Sequence, residues 1–210
     1  MKQVAIWGGA SGLGAAMVEH YHHHGYQVFV IARNPDNNPA IAELGISSFK
    51  CDATDLYQVM STVEALPSSV QHISTMGSFQ AQVAVDYIGH RHLVDALEHF
   101  GHTRLLLVTS LGCGDSWQYL SERARKGFGA AVREKSLAEA WLQSSALDYT
   151  ILRPGGLKNG PATQGGQLSQ HSEVHGVITR GEVARLSEYL LMTPESIGEV
   201  YQCVEPGMSY

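Results

Sequence analysis

The sequence predicts an α/β protein built on one doubly wound, mostly parallel sheet, and three observations carry that prediction. Short, nearly continuous apolar runs alternate with longer segments of helical period; parallel strands read this way because helices bury both faces of the sheet. The first run leads directly into a glycine-rich turn, Gly8-Gly9-Ala10-Ser11-Gly12-Leu13-Gly14, from which a helix opens. A length of 210 residues, 44% of them hydrophobic, is enough for one sizeable core.

Strands are expected over 3–7 (QVAIW), 26–32, 46–50, 70–75, 103–110 and 147–154, with crossover helices over 13–24, 55–65, 81–100 and 132–144. Strand, helix and strand in repetition wind such a sheet in both directions. Thr179-Arg180-Gly181-Glu182 has the spacing of a capping box, so a helix is expected to start there, followed by a closing strand over 199–204. Between Gly155 and Gly176 the chain turns polar and rich in Gly, Gln and Ser, and reads as a long loop at the strand-end side of the sheet. No internal repeat or linker divides the chain. Residues 1–210 are therefore expected to form a single domain, with substrate-side loops near 111–131 and 155–178.

The net charge of −6 and pI near 6.0 lack the basic excess of a general nucleic-acid binder. Cys51, Cys113 and Cys203 are odd in number and far apart, which argues against a disulfide framework or a zinc site and fits a reducing cytosol. Met1 and Lys2 run into a strand without a long apolar leader, and no stretch of about 18 apolar residues follows. A soluble, cytoplasmic protein is expected, without a membrane partner and with a monomer favoured.

The glycine-rich turn carries the clearest chemistry. Glycines let the backbone turn tightly and approach a pyrophosphate, while the N–H groups of the opening helix point at the anion. Residues Gly8 to Gly14 are thus expected to bind a dinucleotide. Arg33, at the end of the second strand, suits the additional 2′-phosphate of NADP, where an acidic residue would suit the ribose of NAD. NADPH is the expected cofactor. Asp36 lies close in sequence, and an arginine merely solvated after a strand is the plainer alternative.

Together these motifs resemble the short-chain dehydrogenase/reductase superfamily, whose G-x-x-x-G-x-G turn matches GGASGLG, and whose fold is a Rossmann fold. The stretches 107–116, 134–157 and 176–186 resemble its atypical, NAD(P)H-binding branch, and size and motif order are similar to the flavin reductase/biliverdin reductase B lineage. The resemblance implies that Asp52 and Ala53 hold adenine and that Met76 and Gly77 pass the cofactor ribose. It further implies that Ser110 is the active-site serine, that Lys135 holds the nicotinamide ribose, and that Pro154 and Gly155 lie against the cofactor.

Two departures bear on the substrate. The superfamily's tyrosine acid would sit four residues before Lys135, on the same helix face, and there the chain has Ala131. Mammalian members of the biliverdin reductase B group carry a histidine near the position of Gly155. Hydride addition to an isolated carbonyl generates an alkoxide, and loss of a positioned acid would forfeit roughly 10² to 10⁴ in rate. Addition to a flavin or to the central methine of a linear tetrapyrrole spreads the charge over a conjugated system that water can protonate. That reaction needs mainly proximity and orientation.

The expected function is therefore an NADPH-dependent reductase of a small, planar, conjugated acceptor, flavin or biliverdin, with flavin as a substrate rather than a tightly bound cofactor. Trp117 is expected to stack on the acceptor, and Arg123, Arg125 and Lys126 to attract its phosphate or propionates; a solvated helix face explains the same charges. The alternatives are a non-catalytic NADP-binding sensor resembling NmrA-like regulators, or a reductase of quinones or other small electrophiles. His20 and His24 share a helix face within HYHHHG, but no neighbouring carboxylate or cysteine completes a ligand set, and no metal is expected. Cys113 reads as a small buried thiol.

Overall fold

The computed structural model describes residues 2–77 and 85–208. The chain opens with β1 (Gln3–Trp7), α1 (Gly12–His23) and β2 (Gln27–Ala32), then turns through a short α2 (Pro39–Glu43) into β3 (Ser47–Lys50). It continues through α3 (Leu56–Glu64), β4 (Gln71–Ser74), α4 (Val85–His99) and β5 (Arg104–Val108). Then come α5 (Glu122–Gln143), β6 (Asp148–Pro154), β7 (Gly156–Lys158), β8 (Gln167–Ser169) and β9 (Val177–Thr179). The last elements are α6 (Arg180–Met192) and β10 (Glu199–Val204).

The main sheet has the order β3-β2-β1-β4-β5-β6-β10-β8, parallel throughout except for β8, which runs antiparallel to β10. The expected single-domain Rossmann fold is therefore the fold observed. Strand side chains alternate between two cores, Val4, Ile6, Leu106, Val108 and Leu152 facing α1 and α6, and Ala5, Trp7, Leu105, Leu107 and Ile151 facing α3, α4 and α5. The strand order reverses between β1 and β4, which opens a crevice at the carboxyl ends of these strands.

All the strands expected from the apolar runs are present within a residue or two at each end. Three other expectations are corrected. The helix anticipated over 132–144 starts at Glu122, where the Ser121 hydroxyl accepts the Ala124 N–H at 3.2 Å. Gly127, Gly129 and a run of exposed charges hide the apolar period there, so much of the loop expected over 111–131 is helix. The expected loop 155–176 contains β7 and β8; the three residues of β8 pair with Gln202, Cys203 and Val204 and close the edge of the sheet. Short edge strands carry little sequence signal.

Thr179 caps α6 as expected, accepting the Glu182 N–H at 3.1 Å, but the Glu182 carboxylate does not complete the box. It is buried, accepts the N–H groups of Thr163, Gln164 and Gly166 at 2.9–3.0 Å, and pairs with Arg185. This carboxylate fastens the turn at 163–166, in addition to the pairing of β8 with β10 and the Thr163–Glu205 and Gln170–Glu199 bonds. For the helix expected over 81–100, residues 81–84 lie outside the described residues. No described helix is long and apolar enough to cross a membrane.

Candidate active site

A cleft of about 1220 Å³ lies over the switch point, lined from the glycine-rich turn to the start of β7. At its floor Gly8 and Gly12 adopt φ of +85° and +54°, conformations that a side chain would strain. Ser11 occupies the N-cap of α1 without capping it through its side chain, so the first-turn N–H groups face the cleft without that partner. Gly8, Ala10, Ser11, Gly12 and Leu13 line the cleft, whereas Gly9 and Gly14 lie behind the wall. A Cβ on Gly14 would stand 2.1 Å from the Gly8 carbonyl oxygen, and one on Gly9 would stand 2.9 Å from Val30. These two glycines let helix and strand approach.

Beyond the turn, exposed Arg33 lines the rim together with Asn34 and Asn37. Asp52, Ala53 and Thr54 form the adjoining wall. The Asp52 carboxylate accepts the backbone N–H and the hydroxyl of Thr54 at 3.0 and 2.8 Å, and these bonds, with the nearby Arg33 charge, hold its pKa below the usual value. Met76 and Gly77 continue the wall from the end of β4.

At the other end stand Ser110, Phe128, Ala131, Lys135, Pro154, Gly155 and Leu157. Lys135 Nζ lies 2.9 Å from buried Asp86 Oδ1 and donates to the Met76 carbonyl at 3.2 Å, which fixes the amine at the cleft wall. Ser110 sits just past β5, its hydroxyl donating to the Leu111 carbonyl at 3.0 Å. Gly155 has a steric reason for being glycine: a Cβ there would stand 2.4 Å from the Gly176 carbonyl oxygen. Among the described residues lining the cleft there is no tyrosine and no histidine.

Behind this wall lies a buried polar layer. Thr109 donates to Glu139 at 2.6 Å, and Arg153 grips both oxygens of the same carboxylate at 3.0 and 2.7 Å while also pairing with Asp115. The network ties the end of β5, where Ser110 follows, to β6 and α5. His90 Nδ1 donates to the Asp86 carbonyl at 2.7 Å, so its Nε2 accepts from the Ser74 hydroxyl at 2.8 Å. Trp7 Nε1 donates to His72 at 3.2 Å, which leaves His72 Nε2 to donate to His102 at 3.0 Å. Burial pushes the His72 and His90 pKa values down to about 3 and about 4, so both rings are neutral.

Of the residues expected to contact an acceptor, Trp117, Arg123, Arg125 and Lys126 do not line the cleft. Trp117 packs against Gly129, with the Arg125 and Arg133 guanidinium groups 5.5 and 4.9 Å from its ring centre; Arg123, Arg125 and Lys126 are exposed. Cys113 is fully buried, and burial raises its pKa to about 12, which suits an inert thiol.

The sequence reading missed Asp86, Thr109, Phe128, Leu157 and Arg180. Asp86 was signalled only as an acid near the start of α4, and Phe128 as an aromatic among polar residues. Arg180 lies 3.9 Å through its Nε from a Cβ position on Gly12; that Nε is buried without a hydrogen-bond partner, while Nη1 donates to Asn159. A buried, unpartnered cationic donor facing an uncapped helix terminus fits an anionic ligand.

The chain matches the model of the NAD(P)H-binding family over residues 8–194, and it belongs to that family. The structure of ChuY from Escherichia coli O157:H7, described as an anaerobilin reductase, is 41% identical with a TM-score of 0.91, covering 100% of both chains. Among curated relatives, an uncharacterised chloroplastic protein of Arabidopsis thaliana is 34% identical over 125 residues, 57% of this chain and 45% of that protein. Sanguinarine reductase of Eschscholzia californica is 32% identical over 105 residues, 48% of this chain and 37% of that enzyme. The chain thus spans less than half the length of these two curated relatives.

Proposed function

We propose that this member of the NAD(P)H-binding family is an NADPH-dependent reductase that adds hydride to a small planar conjugated acceptor, with a linear tetrapyrrole as the first candidate and flavin as the second. The observation that carries the reading is the open cleft wall at Ala131, beside Ser110 and Lys135, with neither tyrosine nor histidine among the described lining residues. The likeness to an anaerobilin reductase over the whole chain supports the tetrapyrrole class, and the match to sanguinarine reductase supports a planar acceptor.

Bound NADPH supplies the hydride. The protein's own groups bind and orient. The N–H groups at the start of α1 and the Nε of Arg180 would hold the diphosphate, and Arg33 would pair with the 2′-phosphate. Asp52 and Ala53 would hold the adenine, and Met76 and Gly77 the ribose. Lys135, positioned by Asp86, would hold the nicotinamide ribose, Ser110 would orient the nicotinamide amide, and Pro154 and Gly155 would lie against the cofactor. Ala131 and Phe128 bound the space for the acceptor, and water supplies the proton that completes the reduction. The basic residues Arg123, Arg125 and Lys126 steer anionic acceptors from outside the cleft rather than lining it, and Trp117 packs beneath them without reaching the acceptor. The three cysteines are free and buried, in keeping with a reducing cytosol, and the protein acts as a monomer.

The test is to mix the protein anaerobically with NADPH and either biliverdin or FMN, following the absorbance of both reactants. Protein-dependent loss of NADPH together with oxidised acceptor is expected. Tight NADPH binding without turnover of any conjugated acceptor would favour the sensor reading instead. In the active case Ser110→Ala should lower kcat by less than about tenfold, since an orienting group contributes less than the 10² to 10⁴ of a positioned acid. A larger loss would make Ser110 the proton donor.

A further inference from the structure

The end of α1 remote from the cleft carries His20, His22, His23 and His24. Local sequence offers no third ligand there, but α6 packs along α1 and brings one across 168 residues of chain. Glu188 Oε2 lies 2.8 Å from His20 Nε2 and 3.3 Å from His24 Nδ1. The three donor atoms all lie within 4.8 Å of one another, and the two imidazole ring centres are 4.1 Å apart. The expectation that no carboxylate completes this set is therefore corrected.

We propose that His20, His24 and Glu188 form a Zn²⁺ site that clamps the end of α1 to α6, leaving a fourth position to water. Tetrahedral zinc with bonds of about 2.0–2.1 Å separates neighbouring donors by about 3.3–3.4 Å, so small side-chain rotations bring the set to a common centre. Two imidazoles with one carboxylate suit zinc better than calcium or magnesium, which take oxygen ligands.

The surroundings leave the set free for a metal. Arg185, one turn before Glu188 on α6, is committed to Glu182 at 2.6 and 3.0 Å. Tyr26 is buried beside Glu188, whose charge, after burial itself, raises the pKa of its hydroxyl. A hydroxyl next to a ligating carboxylate can orient it. The same two helices present Gly12, Leu13 and Arg180 to the cleft from their other ends, so a clamp here restrains both walls of the anion site.

The full chain, stripped of metal with a chelator, is titrated with ZnCl₂ by calorimetry and by thermal denaturation, and with Co²⁺ by visible absorption. One Zn²⁺ per chain is expected, with Tm rising by several degrees under excess zinc and tetrahedral Co²⁺ bands appearing. His24→Ala, at a half-exposed position, should weaken binding at least about tenfold. Glu188→Gln should do the same, and its Tm without metal reveals any folding defect. His22→Ala with His23→Ala should bind as the parent does. No Zn²⁺ binding by the parent chain, or equal losses in the His24 and His22/His23 variants, would overturn the proposal and leave the cluster a histidine–carboxylate bridge between helices.

Discussion

The two sides of the cleft are built on different physical principles. The β1–α1 side is built from backbone: glycines at positive φ, a helix terminus without a side-chain cap and close helix–strand contact, with few titratable groups. The α4–α5 side is held by buried polar side chains, the Asp86–Lys135 and Glu139–Arg153 pairs and the neutral rings of His72 and His90. The first side should be intolerant of added atoms and indifferent to pH. The second should respond to charge and protons.

Acid gives the largest expected contrast. Folding depresses the pKa of His72 to about 3 and of His90 to about 4, from an ordinary value of 6.5. Below pH 6.5 the unfolded chain therefore binds protons that the folded chain refuses. The stability contributed by neutral burial is complete above pH 6.5 and falls away as pH drops toward 4. By pH 5 the two rings together should cost on the order of 4 kcal/mol. Urea midpoints between pH 7.5 and 5 measure this, and His90→Gln should flatten the slope; an unchanged slope would remove His90 from the account.

Next in size is Glu139→Ala, which leaves the Arg153 guanidinium buried beside exposed Asp115 alone and should destabilise by about 3–5 kcal/mol. Asp115→Asn removes the exposed partner and should cost less than about 1 kcal/mol. Equal effects in chemical denaturation would mean that the pairs are not distinguished by burial. On the other side, Gly14→Ala drives a Cβ against the Gly8 carbonyl and should cost about 1–3 kcal/mol with weaker NADPH binding, at every pH. Smallest in stability but sharpest in specificity, Arg33→Ala should weaken NADPH roughly tenfold to a hundredfold in a binding titration while leaving NADH nearly unchanged. Equal losses for both cofactors would remove the 2′-phosphate contact.

The same contrast explains how much was legible in the sequence. The glycine turn, Arg33 and the alternation of strands with helices are local or periodic features, because backbone chemistry needs particular residues at consecutive positions. The α4–α5 side depends on residues far apart in the chain: Asp86 with Lys135, Thr109 with Glu139 and Arg153, and His90 with Ser74. The start of α5 was missed because Gly127, Gly129 and exposed charges conceal its period, and that put Arg123, Arg125 and Lys126 in a loop instead of on the first turns of a helix.

By itself the sequence determined the doubly wound sheet and the glycine-rich turn, because each is written in short-range spacing that any folded form must satisfy; the alanine four residues before Lys135 gained its meaning only through the family resemblance. Only the tertiary structure decided which glycines face the cleft, that Arg180 reaches it with a free Nε, that a side chain at Gly155 would strike Gly176, and that Glu188 joins His20 and His24. Those are distances between segments remote in sequence, and packing of helices on the two faces of the sheet sets them.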